Sequence, residues 1–167
     1  SNIRFVCVGE GETENENTIR KLGTQMGLDD TIIWVDGCPN MVEVYNALDI
    51  ASSSSSYGEG FPNVVGEAMS CGVPTQVTDV GDSALIVGQT GLVVPPNDSE
   101  ALCSAWVKML LLDAKELQLK AISARERVIS QYSISRLLGS TERALSEELG
   151  YIESSPNSKD KEIQHGK

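Results

Sequence analysis

The chain has 167 residues, of which 40% are hydrophobic and 22% are charged, so it can fold around a core and is not disordered overall. Thirteen Lys and Arg residues against 24 Asp and Glu residues give a net charge of −11, which argues against binding to nucleic acid or to anionic membrane surfaces. Apolar runs are far shorter than the roughly 20 residues that cross a bilayer, and the start lacks a signal-peptide pattern, so we expect a cytoplasmic protein.

The first part of the chain alternates between strand and helix patterns. A β-branched run predicts a strand over 3–8, and a second strand is predicted over 31–35. Between them, a helix that ends near residue 27 is indicated by the spacing of Ile19, Leu22 and Met26. The second strand is followed by a short helix with the apolar positions Met41, Val44, Tyr45 and Leu48.

The middle of the chain contains the best-defined helix. The serine run 52–56 is interpreted as a strand end that leads into a glycine loop, not as a linker. In the following helix, Pro62 fits the first turn and Gly72 the C-terminal cap. Its core-spaced residues are Val64, Val65, Ala68 and Met69.

Alternation continues and then gives way to helices. We predict strands over 74–77 and 92–94 and helices over 83–87 and 99–112. Two more helices, over 114–130 and 133–149, are predicted as additions to the sheet, and the second has the candidate packing residues Leu137, Leu138, Ala144 and Leu145. We expect one domain over 1–150 and a polar flexible tail over 151–167.

The order of elements predicts an α/β fold, a Rossmann-like doubly wound parallel sheet with appended C-terminal helices. In such sheets the ligand binds beyond the carboxyl ends of the strands. The loop after the third predicted strand contains Glu59, and Glu67 lies about one turn inside the next helix, on the face of Asn63.

This loop and helix have the groups that a nucleotide sugar requires. The first N–H groups of a helix lack intrahelical partners and attract phosphate oxygens, while carboxylates accept hydrogen bonds from sugar hydroxyls. An isolated pair of glutamates at this spacing would more often be two exposed side chains, so the surrounding residues decide.

Those residues resemble the donor-binding half of the retaining GT-B glycosyltransferases of family 4, the glycosyl transferases group 1. Four family motifs are matched: Glu-x7-Glu by Glu59 and Glu67, Glu-Ala-Met-x-x-Gly-x-Pro by 67–74, Asp-x-Gly by 79–81, and Gly-x-Leu-Val-x-Pro-x-Asp by 91–98 with one extra residue. A weaker similarity extends the match to roughly 3–149.

The resemblance implies a role for each site residue. Glu67 would hold the ribose hydroxyls, and Glu59 would contact the transferred sugar as the catalytic residue. The other donor-binding residues would be Gly60, Phe61, Pro62, Asn63, Val64 and Val65. The base would lie against Val35, Asp36, Gly37 and Cys38, read largely through their backbone, which leaves UDP and GDP both open. The family needs no metal or other cofactor.

The chain also departs from the family pattern. Family members have an Arg and a Lys ahead of the matched segment, and an N-terminal acceptor domain with a catalytic histidine, whereas the only histidine here is His165. Asp82 stands where many members have glycine. We therefore expect the partner to be a missing N-terminal domain of the same enzyme, through which any membrane contact would occur, and we expect this fragment alone to bind weakly without catalysis.

The predicted function is the transfer of a sugar in polysaccharide or glycoconjugate biosynthesis. The alternatives are a non-catalytic nucleotide- or sugar-binding module and a GT-B sugar-nucleotide epimerase. The four cysteines lie more than 30 positions apart, which does not fit structural zinc and favours buried free thiols over two disulfides.

Overall fold

The structure, a computed structural model, describes residues 3–9 and 13–148. Within them, strands and helices alternate as far as the fifth helix, and two long helices follow. The strands are β1 (Phe5–Val8), β2 (Ile32–Val35), β3 (Ala51–Ser53), β4 (Thr75–Thr78) and β5 (Leu92–Val94). The helices are α1 (Thr13–Gln25), α2 (Met41–Asn46), α3 (Asn63–Ser70), α4 (Ser83–Val87), α5 (Ser99–Leu110), α6 (Ala114–Tyr132) and α7 (Ile134–Glu148).

All strand pairs are parallel, which confirms the predicted α/β class, but the strands form two sheets. β1 pairs with β2, and β4 lies between β3 and β5. Among the described residues, no ladder joins β1 to β3. Trp106 of α5 connects the two sheets, because its ring lies 4.9 Å from that of Phe5 and its Nε1–H donates to Ser52 Oγ at 3.1 Å.

The buried core lies around the second sheet and includes side chains from helices α2 to α6, with Met109 of α5 among them. One cluster consists of Val65, Met69, Val77, Ile86, Val87 and Ala124, and the other of Tyr45, Ala51, Ala68 and Val73. The buried stripe of α3 has the predicted helical spacing, except at one position. Val64 is 53% exposed because it precedes that stripe by one residue and so points about 100° away from it.

The two C-terminal helices follow the sheet as predicted, but they differ in how they pack. α6 packs on α3, with Ala124 buried in the first core cluster and Val128 and Tyr132 against that cluster. Conversely, the candidate packing residues of α7, namely Leu137, Leu138, Ala144 and Leu145, are exposed, as are Ile19, Leu22 and Met26 of α1. An amphipathic pattern predicts a helix with an apolar face but does not show which element covers that face.

The prediction of buried cysteines holds only in part. All four thiols are free, yet Cys7 and Cys103 are exposed, while Cys38 and Cys71 are partly buried. No described helix is both long enough and apolar enough to span a bilayer. The predicted tail over 151–167 lies outside the described residues.

Candidate functional site

The two glutamates lie at the carboxyl end of β3, the edge where parallel sheets of this kind bind ligands. β3 ends at Ser53, Glu59 is in the connecting loop, and Glu67 is in the second turn of α3. We call residues 57–61 the glutamate loop. The structure thus confirms the order of strand, loop and helix that the sequence predicts here.

Glu59 is partly buried and is tied to the ends of two strands. The hydroxyl of Ser55 donates to Glu59 Oε1 at 2.7 Å, and the carbonyl oxygen of Ser55 accepts from Thr78 Oγ1 at 2.6 Å. Ser55 follows β3 and Thr78 ends β4, so the carboxylate is held relative to the sheet. The sequence pattern does not predict this contact of Ser55.

Glu67 is exposed, and one of its oxygens is occupied. The Tyr45 hydroxyl, on α2, donates to Glu67 Oε2 at 2.8 Å. Burial and this hydrogen bond both raise the pKa of Tyr45. The sequence pattern predicts Tyr45 only as an apolar position of its helix. The available signal was its hydroxyl, because a tyrosine on a buried helix face requires a hydrogen-bond partner.

Each glutamate therefore has one oxygen engaged and one available. In the described part of the chain, neither Glu59 Oε2 nor Glu67 Oε1 has a hydrogen-bond partner. Each carboxylate oxygen can accept two hydrogen bonds. The pair can thus receive hydroxyl donors while a hydroxyl of the protein keeps each side chain oriented.

The first turn of α3 offers donors between these carboxylates. Within residues 13–148, no acceptor is found for the N–H groups of Asn63 and Val64, whereas Val65 donates to Pro62 O at 3.1 Å. Pro62 is buried and has no N–H, so it directs the chain into the helix and donates nothing. Phe61, also predicted to bind donor, is 48% exposed.

The Asp-x-Gly turn packs directly on the glutamate loop. Asp82 N–H donates to Gly60 O at 2.8 Å. Gly81 has φ +56°, and a Cβ there would lie 2.4 Å from Gly60 O and 2.5 Å from Glu59 O, so only glycine fits. Two motifs that lie about 20 residues apart in the sequence are therefore one structural unit.

The predicted base-binding residues lie at the carboxyl end of the other sheet. Val35 ends β2, and Asp36, Gly37 and Cys38 follow it in an irregular segment. In the described chain, no hydrogen bond joins these residues to either glutamate. α2 provides the connection, because it begins three residues after Cys38 and brings Tyr45 to Glu67.

The stretch of sequence that contains both glutamates has no positively charged residue. No Lys or Arg occurs between Lys21 and Lys108, a stretch that contains both site glutamates and Asp82. Among the residues described, no three His, Cys, Asp or Glu side chains are grouped as metal ligands would be. Any anion bound here must rely on backbone N–H groups and on cations from other elements.

A separate cavity of about 200 Å³ lies between α1 and β2, on the first sheet. Its lining includes Thr24, Asp29 and Trp34, and the guanidinium carbon of Arg20 lies 4.8 Å above the centre of the Trp34 ring. Trp34 is thus partly buried against an arginine, not part of the main core. None of the predicted site residues lines this cavity.

The fold is that of a domain of the GT-B glycosyltransferase class. The model of the family described as glycosyl transferases group 1 matches residues 1–111, and the chain belongs to this family. Sucrose-phosphate synthase from Thermosynechococcus elongatus superposes with a TM-score of 0.77 at 25% identity, covering 88% of this chain and 39% of that chain.

Two further proteins are similar to this chain, one in sequence and one in fold. The putative colanic acid biosynthesis glycosyltransferase WcaL of Salmonella typhimurium is 33% identical over 151 residues, covering 83% of this chain and 36% of WcaL. Anabaena HepE in complex with UDP matches with a TM-score of 0.78 at 19% identity, over 87% of this chain and 41% of HepE. The chain therefore spans well under half of these proteins.

Proposed function

We propose that this chain is the donor-binding part of a retaining glycosyltransferase, which transfers a sugar from a nucleotide diphosphate sugar during polysaccharide or glycoconjugate synthesis. The observation that carries the proposal is the geometry around the start of α3. Two carboxylates, each oriented by one hydroxyl, stand before and after a helix start whose N–H groups at Asn63 and Val64 have no acceptor among the described residues.

Each part of a nucleotide sugar finds a matching group there. The diphosphate would accept hydrogen bonds from the N–H groups of Asn63 and Val64, where the helix dipole also favours negative charge. Ribose hydroxyls would donate to Glu67, and hydroxyls of the transferred sugar to Glu59, the proposed catalytic residue. The bound UDP of HepE, a structural neighbour, supports a uridine nucleotide as the first ligand to test.

The base would lie beyond β2, against Val35, Asp36, Gly37 and Cys38. The base would be recognised largely through the backbone groups of this segment. Its side chains therefore give little basis for choosing between UDP and GDP. We expect catalysis without bound metal, with an acceptor domain as partner. Residues 22–107 contain no Lys or Arg that could neutralise the diphosphate. We therefore also expect the chain alone to bind the nucleotide sugar weakly and not to transfer the sugar.

Replacing the two glutamates is predicted to change ligand affinity in two different ways. Glu67→Ala should weaken UDP binding at least about tenfold, the effect of losing charge-assisted hydrogen bonds of roughly 1.5–3 kcal/mol. Glu59→Ala should leave UDP affinity nearly unchanged and remove the additional affinity of a UDP-sugar over UDP. Titration calorimetry or NMR line shifts on the folded variants measure both.

Glu100→Ala provides the matched control, because Glu100 is an exposed glutamate in the first turn of another helix, α5. It makes the same change in net charge and should not alter either affinity. Equal losses for UDP and UDP-sugar in Glu59→Ala would refute the division of roles. In the full-length protein, product analysis distinguishes sugar transfer from epimerisation, and the absence of any turnover would favour a binding module.

A further inference from the structure

The glutamate loop is supported from behind by α6, through the short helix α4. Near the far end of α4, Arg127 of α6 donates to Ile86 O at 2.8 Å through Nε and to Leu85 O at 2.6 Å through Nη2. Tyr132 of α6 also donates to Leu85 O, at 3.0 Å. These bonds satisfy carbonyl groups that the end of a helix leaves without partners.

The residue that follows α4 is a glycine, which leaves room for the guanidinium group of Arg127. Gly88 has φ +55°, and a Cβ there would lie 2.5 Å from the guanidinium carbon of Arg127. α4 has only five residues, too few to be stable as a helix without tertiary contacts. Its position is therefore set by tertiary contacts, namely the buried side chains of Ile86 and Val87 and the hydrogen bonds at its two ends.

The other end of α4 holds the glutamate loop. Asp82 N–H, at the start of α4, donates to Gly60 O at 2.8 Å, and Gly81 packs on the backbone of Glu59 and Gly60. A second contact joins α6 to the glutamate loop directly, without α4. The ring of Tyr132 meets that of Phe61 edge to face, with centres 5.7 Å apart.

We propose that Arg127 and Tyr132 are positioning residues that hold the glutamate loop in its binding geometry before a ligand arrives. The inference rests on the proposed function for its consequence, since the ordered loop contains Glu59, the sugar-side carboxylate. Glu67 is held separately, by α3 and Tyr45. Loss of the support from α6 should therefore affect recognition of the sugar more than recognition of the nucleotide.

The loop itself can be tested without any nucleotide. The variant Arg127→Lys keeps the positive charge but cannot donate to Ile86 O and Leu85 O through two nitrogens at once. In this variant the Asp82 amide should exchange with solvent about tenfold faster than in the wild type. The exchange rates of the β4 amides of Gln76 and Val77 should change less than about twofold. Tyr132→Phe keeps the ring on Phe61 and removes one hydrogen bond to α4, so we expect a smaller effect of the same kind.

The control is Arg143→Ala on α7, which removes a cation of the exposed last helix and should change none of these rates. Unchanged Asp82 exchange in both test variants would overturn the inference. An equal acceleration of all amides would also overturn it, because that result describes loss of global stability.

Ligand binding then separates the two proposals. With UDP and UDP-glucose as probes, Arg127→Lys should lower the ratio of UDP-glucose affinity to UDP affinity about threefold, with UDP affinity itself within twofold of wild type. If Asp82 exchange responds but the wild type binds neither probe, the positioning role stands and the proposed function fails. If the wild type binds both probes and the ratio is unchanged, the positioning role fails.

Discussion

The first two strands and the three that follow differ in how they are packed. In β1, α1 and β2 the large apolar side chains are widely exposed, including Ile19, Leu22 and Ile33 at 54%, 53% and 46%. In the region from α2 to α6, Met69, Val77 and Ile86 are fully buried. The buried apolar side chains of the described chain all come from this second region.

The comparison shows where the site obtains its rigidity. Both glutamates, their hydroxyl partners and the Asp-x-Gly turn are all held by the packed region, and their hydrogen bonds reach the second sheet and α2. The predicted base-binding residues continue from β2 instead. We therefore expect the carboxylate side of the site to be preorganised and the base side to be the more adaptable.

The largest predicted effect tests this contrast in packing. Met69→Ala should cost about 2–5 kcal/mol of unfolding free energy, because it removes a fully buried side chain and leaves a cavity. Leu22→Ala, at a 53% exposed position, should cost less than about 1 kcal/mol. Urea unfolding of the two variants measures the difference, and equal losses would remove the distinction between the regions.

A pair of glycine substitutions narrows the test to the glutamate loop. Gly81→Ala should destabilise the protein by about 1–3 kcal/mol, since it adds a Cβ against Gly60 O at a positive φ. Gly66→Ala, inside α3 with open space around it, should be neutral or stabilising by up to about 1 kcal/mol. Thermal melts of both variants provide the comparison. A harmless Gly81→Ala would mean that the turn is not packed on the loop as described.

Tyr45 of α2 holds Glu67 of α3 by a hydrogen bond within the packed region, and its removal should have a moderate effect. Tyr45→Phe should cost about 0.5–1.5 kcal/mol of stability and weaken UDP binding a few-fold by releasing Glu67. The fold raises the pKa of Tyr45, so this contribution is complete below the unfolded pKa of about 10 and is lost as the pH rises through the folded pKa.

The pH profile therefore provides a second readout for Tyr45. Above pH 10 the stability of the wild type should fall towards that of Tyr45→Phe. Tyrosinate absorbance should likewise contain a late-titrating component that is missing from the variant. A constant difference in stability between pH 8 and pH 12 would contradict the hydrogen bond to Glu67.

The smallest predicted effect concerns charge beside the loop. Asp82→Asn removes one negative charge and keeps the backbone N–H that holds Gly60, so UDP affinity should rise about twofold at low salt and less at high salt. Asp30→Asn, on the turn before β2, makes the same charge change in the other region and should have no effect. Titrations at two salt concentrations decide between local and general charge effects.

Local patterns predicted much of this molecule. The spacing of Val65, Ala68 and Met69 gave the buried face of α3, and the motif residues gave the positions of both glutamates. The core role of α6 and the exposure of Leu137 and Leu138 could not be predicted, because an apolar face does not specify its partner.

Most hydrogen-bond partners at the site could not be predicted from the sequence either. Tyr45 lies 22 residues from Glu67, and Asp82 lies 22 residues from Gly60, so each pairing depends on the tertiary fold. The division of the strands into two sheets has the same origin, since strand patterns do not specify which edges pair. Of the two described hydrogen bonds to the glutamate side chains, the one from Ser55 to Glu59 is local, at four residues.

The most direct test of the central claim is an amide NMR titration of the chain with UDP, repeated on Glu67→Ala. The account predicts shifts concentrated in residues 58–67 and 35–38, weak in affinity and at least about tenfold weaker in the variant. Shifts confined to the cavity beside Arg20 and Trp34, or identical titrations of wild type and variant, would contradict the assignment of the site to the two glutamates.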